Sequence, residues 1–290
     1  MKTVYWATFF MLFASISFVW GQSLPSTLTG VVTDTAGASL PFASVGLVNT
    51  TVGTVADENG RFSLYLTNGI RQTDTLRVSL IGYSALSLPV NVAVAKLAIK
   101  PVIVLTPLSI RLREVTVRSA DWEVRQTGNN HVDTRMKTNF ALSNKPRQNL
   151  GAEIGRVFRV PKQGAYLEEF RFYVSANNFD STRFRINVYS LRRNYPSNSL
   201  LQRPVYIDLK KAQKGWITVD LRPYNVFAAD DVAVSIEWVN YGGKGSYLGI
   251  PITMPSIGAV HLYKYGSQTR WKKFGQMSAC MNLAMVCAPR

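Results

Sequence analysis

Between residues 27 and 117 short apolar runs are cut by turn residues at close intervals. That spacing leaves little room for long helices and reads as short strands of a sandwich. The runs begin with Thr29-Gly30-Val31-Val32-Thr33, a turn at Ala36-Gly37, and Leu40-Pro41-Phe42-Ala43-Ser44-Val45. They continue through Gly53-Thr54-Val55-Ala56-Asp57-Glu58-Asn59-Gly60-Arg61-Phe62 and Leu76-Arg77-Val78-Ser79-Leu80-Ile81-Gly82-Tyr83. The last is Leu112-Arg113-Glu114-Val115-Thr116-Val117. Phe62, Leu64 and Leu66 recur at every second position and should face a core. Asp57-Glu58-Asn59-Gly60 reads as a tight turn, because Asn-Gly tolerates positive φ. Two carboxylates in one turn are too few for a hard cation, so turn chemistry explains them better than calcium.

The order and spacing of these pieces resemble the carboxypeptidase regulatory-like domain, a small transthyretin-like Greek-key β-sandwich. The resemblance covers about a third of the chain. It implies a fold and an envelope setting, not an activity. In Gram-negative cells such domains often precede the plugs of TonB-dependent receptors. This chain of 290 residues is too short for such a receptor's barrel. The resemblance therefore implies an accessory protein rather than a transporter.

The amino terminus fits that setting. Met1-Lys2 is a minimal positive region, Val4 to Trp20 is almost entirely apolar, and Val19-Trp20-Gly21 offers a cleavage site. Residues 1–21 read as a secretory signal peptide, with a mature chain starting at Gln22. The competing reading is an uncleaved anchor, for which the run is short of the ~20 residues a span needs. Later segments offer no transmembrane helix. Export to the periplasm, the outer-membrane periphery or the medium is expected.

The remainder divides into 22–118 as the first sandwich, 119–150 as a polar linker rich in Arg, Asn, Gln and Thr, and 151–290 as a second β-domain. His131 lies in the linker and reads as a solvated side chain. Nine candidate strands follow: 154–160, 166–174, 183–191, 205–209, 216–221, 232–239, 247–250, 259–265 and 279–286. Many strands, long loops and no strong helix suggest a jelly roll. Gly215-Trp216-Ile217-Thr218-Val219-Asp220-Leu221, Val232-Ala233-Val234-Ser235-Ile236-Glu237-Trp238 and Trp271-Lys272-Lys273 loosely resemble the carbohydrate-binding and adhesion sandwiches of secreted bacterial proteins. The fold expected is all-β, with two β-sandwich domains.

Charge is concentrated in the second part. The chain carries +16, and residues 119–290 hold 24 basic against 12 acidic groups. Two readings stand: a solvated surface, or an anionic neighbour such as an acidic glycan, a lipid phosphate or an outer-membrane protein. Nucleic acid does not suit an exported chain. Alternation narrows the search. Phe170, Phe172 and Val174 share one face of a strand, and Phe184, Ile186 and Val188 share one face of the next. A hairpin through Asn177-Asn178-Phe179-Asp180 would place Arg171, Tyr173, Arg183, Arg185 and Tyr189 together on the opposite face, with Glu169 as partial balance. Those five are the candidate binding residues; like charges set side by side there need an anion or good hydration.

Catalytic and metal motifs are largely absent. A zinc peptidase needs two His and a Glu on the metal. His131 and His261 are far apart, and neither begins an HxxE or HExxH pattern. No GxSxG elbow or P-loop occurs. Paired carboxylates for a glycan-acting hydrolase leave no sequence spacing to detect. Cys280 and Cys287 on one straight strand would sit ~23 Å apart at ~3.3 Å per residue, so they are expected as buried free thiols; a chain folded back at Cys287 would instead allow a bridge. No cofactor and no metal are expected. The expectation is a non-catalytic exported envelope protein that binds or scaffolds; the alternatives are a glycan-acting hydrolase and a carbohydrate-binding module without catalysis.

Overall fold

The computed structural model describes residues 24–108, 121–140 and 149–289. The expected signal peptide and the Leu112–Val117 run lie outside the described residues. The fold is all-β, with one α-helix among the described residues.

The first domain contains β1 (Thr27–Asp34), β2 (Ser44–Leu47), β3 (Gly53–Val55), β4 (Arg61–Tyr65), β5 (Thr75–Ser79), β6 (Leu86–Pro89), α1 (Val90–Ile99) and β7 (Val102–Leu105). One sheet runs β4-β1-β7, with β7 parallel to β1. The other runs β3-β2-β5-β6. Phe62 and Leu64 turn inward while Arg61, Ser63 and Tyr65 turn out, as the alternation requires. They pack on Val32, Val45, Leu76 and Ile103. The acidic turn is an Asx turn: Asp57 Oδ1 accepts from the backbone N–H of Asn59 at 2.8 Å and of Arg61 at 2.9 Å. Gly60 carries the positive φ of 72°, and a Cβ there would meet Val32 O at 2.6 Å. Helix α1 departs from the sequence reading. Val90, Ala93 and Leu97 form its buried stripe, at three- and four-residue spacing, so the helix caps the sandwich and bridges β6 to the parallel β7.

The second domain begins earlier than expected. Its strands are β8 (Glu123–Gly128), β9 (Lys137–Asn139), β10 (Glu153–Phe158), β11 (Ala165–Val174), β12 (Ala176–Asn177), β13 (Ser181–Arg192), β14 (Tyr195–Ser199) and β15 (Val205–Lys210). They continue with β16 (Gly215–Asp220), β17 (Phe227–Ala228), β18 (Val232–Gly242), β19 (Leu248–Thr253), β20 (Val260–Lys264), β21 (Lys272–Gly275), β22 (Ser278–Ala279) and β23 (Met281–Cys287). One layer is β14-β13-β18-β10-β20-β21 with β15 on β13; the other is β16-β11-β23-β8 with β17 on β11. A small sheet of β12-β19-β22, with β9 on β19, joins them. The described part of 119–150 is therefore not a free linker. Strand β8 pairs with β23 and β9 with β19, so the polar stretch supplies edge strands.

The alternation in β11 and β13 is as expected, but their pairing is not. Phe170, Phe172 and Val174 meet Phe184, Ile186 and Val188 across the core, with Phe172 and Phe184 in edge contact at 6.0 Å. The chain crosses between layers through β12, where Ser175 N–H donates to Gly249 O at 2.9 Å. Both apolar faces thus turn inward toward each other. The polar faces of the two strands point away from each other, on opposite sides of the sandwich.

Cys280 and Cys287 are free and buried, as expected. Burial pushes the Cys280 thiol up to about 12, with Arg156 opposing. His261 is buried opposite Arg156 on neighbouring strands, and burial, then the Arg156 charge, brings it down to about 4. It packs as a neutral ring beside Phe274.

Candidate functional site

The five candidate residues do not form one face. Arg183, Arg185 and Tyr189 lie on the outer side of β13, and the first domain packs over that side. Arg185 is 3% exposed. Its guanidinium pairs with Glu237 on β18 at 2.7 Å and donates to Phe42 O at 2.8 Å and Ser44 Oγ at 2.6 Å, both in the first domain. Glu237 also accepts from Asn187 at 2.9 Å. Glu153, opposite Glu237 on β10, accepts from Tyr189 Oη, Ser235 Oγ and Lys264 Nζ. Burial alone would raise the Glu237 carboxyl; Arg185 and then Lys264 outweigh it and hold it below the ordinary value. Burial raises the Tyr189 phenol well above its usual range, reinforced by Glu153. Arg183 sits at the rim, bidentate to Asp208 at 2.6 and 2.7 Å, with Glu58 of the first domain at 3.7 Å.

The loop between β20 and β21 completes this interface. Ser267 Oγ donates to Val45 O at 2.9 Å, Thr269 Oγ1 donates to Thr50 O at 2.8 Å, and Gln268 O accepts from Asn49 N–H at 3.0 Å. The expected shared basic face is therefore corrected. Arg185 and, at the rim, Arg183 clamp the two domains together, while Tyr189 stays within the second domain on Glu153 and Trp271, because β13 turns its polar side toward the first domain and not toward the side that β11 presents.

Arg171 and Tyr173 lie on the other outer face, that of the β16-β11-β23-β8 layer, and both are half-exposed. Register places Arg171 between Thr218 and Asn282, and Tyr173 beside Trp216. The Arg171 guanidinium stacks over the Trp216 ring at 4.8 Å. Tyr173 meets the same indole edge-on at 5.5 Å. Arg171 Nε has no hydrogen-bond partner among the described residues. Beside it is a recess of about 140 Å³ lined by Gln126, Asn130, Glu169, Arg171, Asn282 and Ala284. Asn282 Nδ2 is set by Asn130 Oδ1 at 2.6 Å. Asp220, opposite Glu169, is held below its usual value by hydrogen bonds from the Arg222 side chain and backbone, with burial opposing.

This arrangement offers stacking surface, donors and acceptors within one shallow area. Guanidinium and amide N–H groups can donate; carboxylate and amide oxygens can accept. Glu169 and Asp220 accompany Arg171 and Arg222 here, so the area is not a basic patch. Sequence reasoning missed Gln126 and Asn130, which lay in the supposed linker, and Asn282. Trp216 was visible as an aromatic residue in a strand, but nothing local tied it to Arg171. No group of three or more His, Cys, Asp or Glu side chains able to hold a metal is present among the described residues.

Comparison with known proteins identifies the first domain. Residues 28–117 match the family model of the CarboxypepD_reg-like domain. No curated protein matches the chain. Among solved structures, the cysteine protease and lectin-like domains of Cwp84, a surface layer associated protein of Clostridium difficile, share 9% identity over 46% of this chain and 32% of that one, at a TM-score of 0.36. Clostridial Cwp84 after propeptide cleavage shares 9% identity over 84% of this chain and 64% of that one, at 0.38. The infectious bursal disease virus Gx strain shares 10% over 90% and 62%, at 0.24. This chain thus spans less than two thirds of each of these structures. At such TM-scores the likeness says nothing about ligand or activity.

Proposed function

We propose that this chain is an exported, non-catalytic binding accessory of a Gram-negative envelope, holding a glycan on the open face of its second domain. The observation that carries the reading is the Arg171–Trp216–Tyr173 stack beside a recess lined by amides and a carboxylate. Sugars present ring C–H faces to aromatic surfaces and hydroxyls that both donate and accept, which is what this face complements. The mixed charge favours neutral or weakly acidic sugars over lipid phosphates. The regulatory-like domain, carried here without a recognisable peptidase, supports an accessory role. The leader-like amino terminus supports export, and among the described residues no helix is long and apolar enough to cross a membrane.

The hydrolase alternative gains no support from the buried carboxylates that face each other across β10 and β18. Glu153 and Glu237 are 1% and 2% exposed and committed to Lys264 and Arg185, and Glu237 also accepts from Ser44 of the first domain. The test is retention on a panel of neutral and acidic glycans and lipid-A vesicles for wild type, Trp216→Ala and Arg171→Ser. The reading expects retention by neutral or weakly acidic glycans, lost in both variants. Equal retention of all three proteins, or retention by lipid-A vesicles alone, contradicts it. Amino-terminal sequencing of exported protein should begin at Gln22; intact Met1 in a membrane fraction would mean an anchor.

A further inference from the structure

A second site lies away from the glycan face, in the cleft between the domains. It has a volume of about 510 Å³, within the ~300–1,000 Å³ usual for ligand clefts, which favour domain interfaces. Its floor includes Val52, Val55 and Ala56 of the first domain and Leu150 and Val239 of the second. Tyr65 and Tyr265 stand on its walls, 57% and 40% exposed.

The cleft runs along residues 51 to 57, the whole of β3 and its flanks. Strand β3 is the last strand of its sheet. Leu47 N–H donates to Val52 O at 2.9 Å, and Ala56 N–H donates to Ala43 O at 2.9 Å. Between them Val45 lies opposite Thr54. Bonded and non-bonded pairs alternate along an antiparallel ladder. The bonded positions on β3 are therefore 52, 54 and 56. Gly53 and Val55 must turn their N–H and C=O groups away from β2, toward the cleft. These groups repeat every two residues, about 6.6 Å at ~3.3 Å per residue, the repeat of another extended chain.

We propose that this cleft binds an extended, uncharged polypeptide segment, which adds as a strand to the free edge of β3. The repeat of the backbone groups selects a polypeptide rather than a sugar or a lipid. The charge of the lining selects its composition. In a chain of net charge +16, the charged lining residues of the cleft among the described residues are Asp57 and Arg61, one of each sign. The remaining described lining is hydroxyl, amide, aromatic and aliphatic, so the cleft favours neither sign of charge. A strand edge with no partner strand, flanked by apolar surface, is a template for such pairing; on it Gly53 is half-buried, and Thr54 and Val55 are buried even before a segment docks.

The test uses the full chain, ¹⁵N-labelled, titrated with a pool of heptapeptides randomised over Ala, Val, Ser, Thr and Tyr. The proposal expects saturable shifts at the Gly53 and Val55 amides. A pool N-methylated at alternate residues should bind at least about tenfold more weakly, because it cannot complete the ladder. Ser63→Trp, an outward position on the β4 wall, should block the shifts while circular dichroism and the melting temperature stay unchanged. Trp216→Ala should leave peptide binding intact, which separates this site from the glycan face. No shift at Gly53 and Val55 at millimolar peptide, equal binding of the N-methylated pool, or undiminished binding to Ser63→Trp would each overturn it.

Discussion

The second domain has two outer faces that differ in what lies over them. Both carry arginine, tyrosine and carboxylate on alternate positions of long strands. On the β13 side the first domain closes over Arg185 and Glu237, whose polar groups are matched across the interface, and Tyr189 and Glu153 are matched to each other beside them. On the β11 side Arg171, Tyr173 and Trp216 stay half-exposed, with a guanidinium nitrogen unmatched. Identical residue types thus become a structural clamp on one face and a candidate binding surface on the other. Composition and alternation are the same; topology decides.

The largest expected contrast comes from equivalent truncations on the two faces. Arg185→Leu removes one partner of a buried pair and leaves Glu237 uncompensated, which should cost about 3–5 kcal/mol. Arg171→Leu on the open face should change stability by less than about 0.5 kcal/mol. Denaturant titrations of both variants check this. Similar losses for the two would break the distinction between the faces.

The next contrast concerns acid. Glu237 is held below its ordinary value of 4.5 in the fold, so its contribution is present above that value and is lost as pH falls through the lower folded value. Wild type should therefore lose stability on acidification below about pH 4.5. In Arg185→Leu the pairing is gone and burial dominates, so the folded carboxyl holds its proton more tightly than the unfolded one. That variant should become more stable, relative to its own value at neutral pH, as pH falls. Parallel pH profiles for the two proteins would contradict this.

Binding should divide the other way. Trp216→Ala and Arg171→Ser should each weaken glycan retention by roughly tenfold, about 1.4 kcal/mol, with the melting temperature nearly unchanged. The smallest effect is expected at the rim. Arg183→Ser breaks exposed pairs with Asp208 and Glu58, worth less than about 1 kcal/mol, and should leave glycan retention intact. A loss of glycan binding in Arg183→Ser would move the site to the wrong face.

Local pattern made much of this fold legible. Strands expected at 166–174, 205–209 and 232–239 appear as Ala165–Val174, Val205–Lys210 and Val232–Gly242, because period-two alternation is a property of each strand alone. Strand partners are not local. The crossing at Ser175–Phe179 sends β13 to the opposite layer, and no residue there signals it more strongly than a hairpin loop would. Helix α1 was hidden because Val90, Val92 and Val94 favour strands, and its helical state rests on burying Val90, Ala93 and Leu97. Strand β8 was hidden because it is a polar edge with no buried residue to set a period, and Gln126 was hidden with it. Of the five candidate residues, alternation put Arg171 and Tyr173 on one face of one strand, and the structure keeps them there. Trp216 joins them only through the β11–β16 register.

Arginine-selective modification with phenylglyoxal, mapped by peptide mass, tests the central claim most directly. In the native protein Arg171 should react readily, and a retained glycan should protect it. Arg185 should remain unreactive until the chain is unfolded. Native Arg185 reacting as fast as Arg171, or glycan protecting Arg183 instead of Arg171, would contradict the assignment of one closed and one open face.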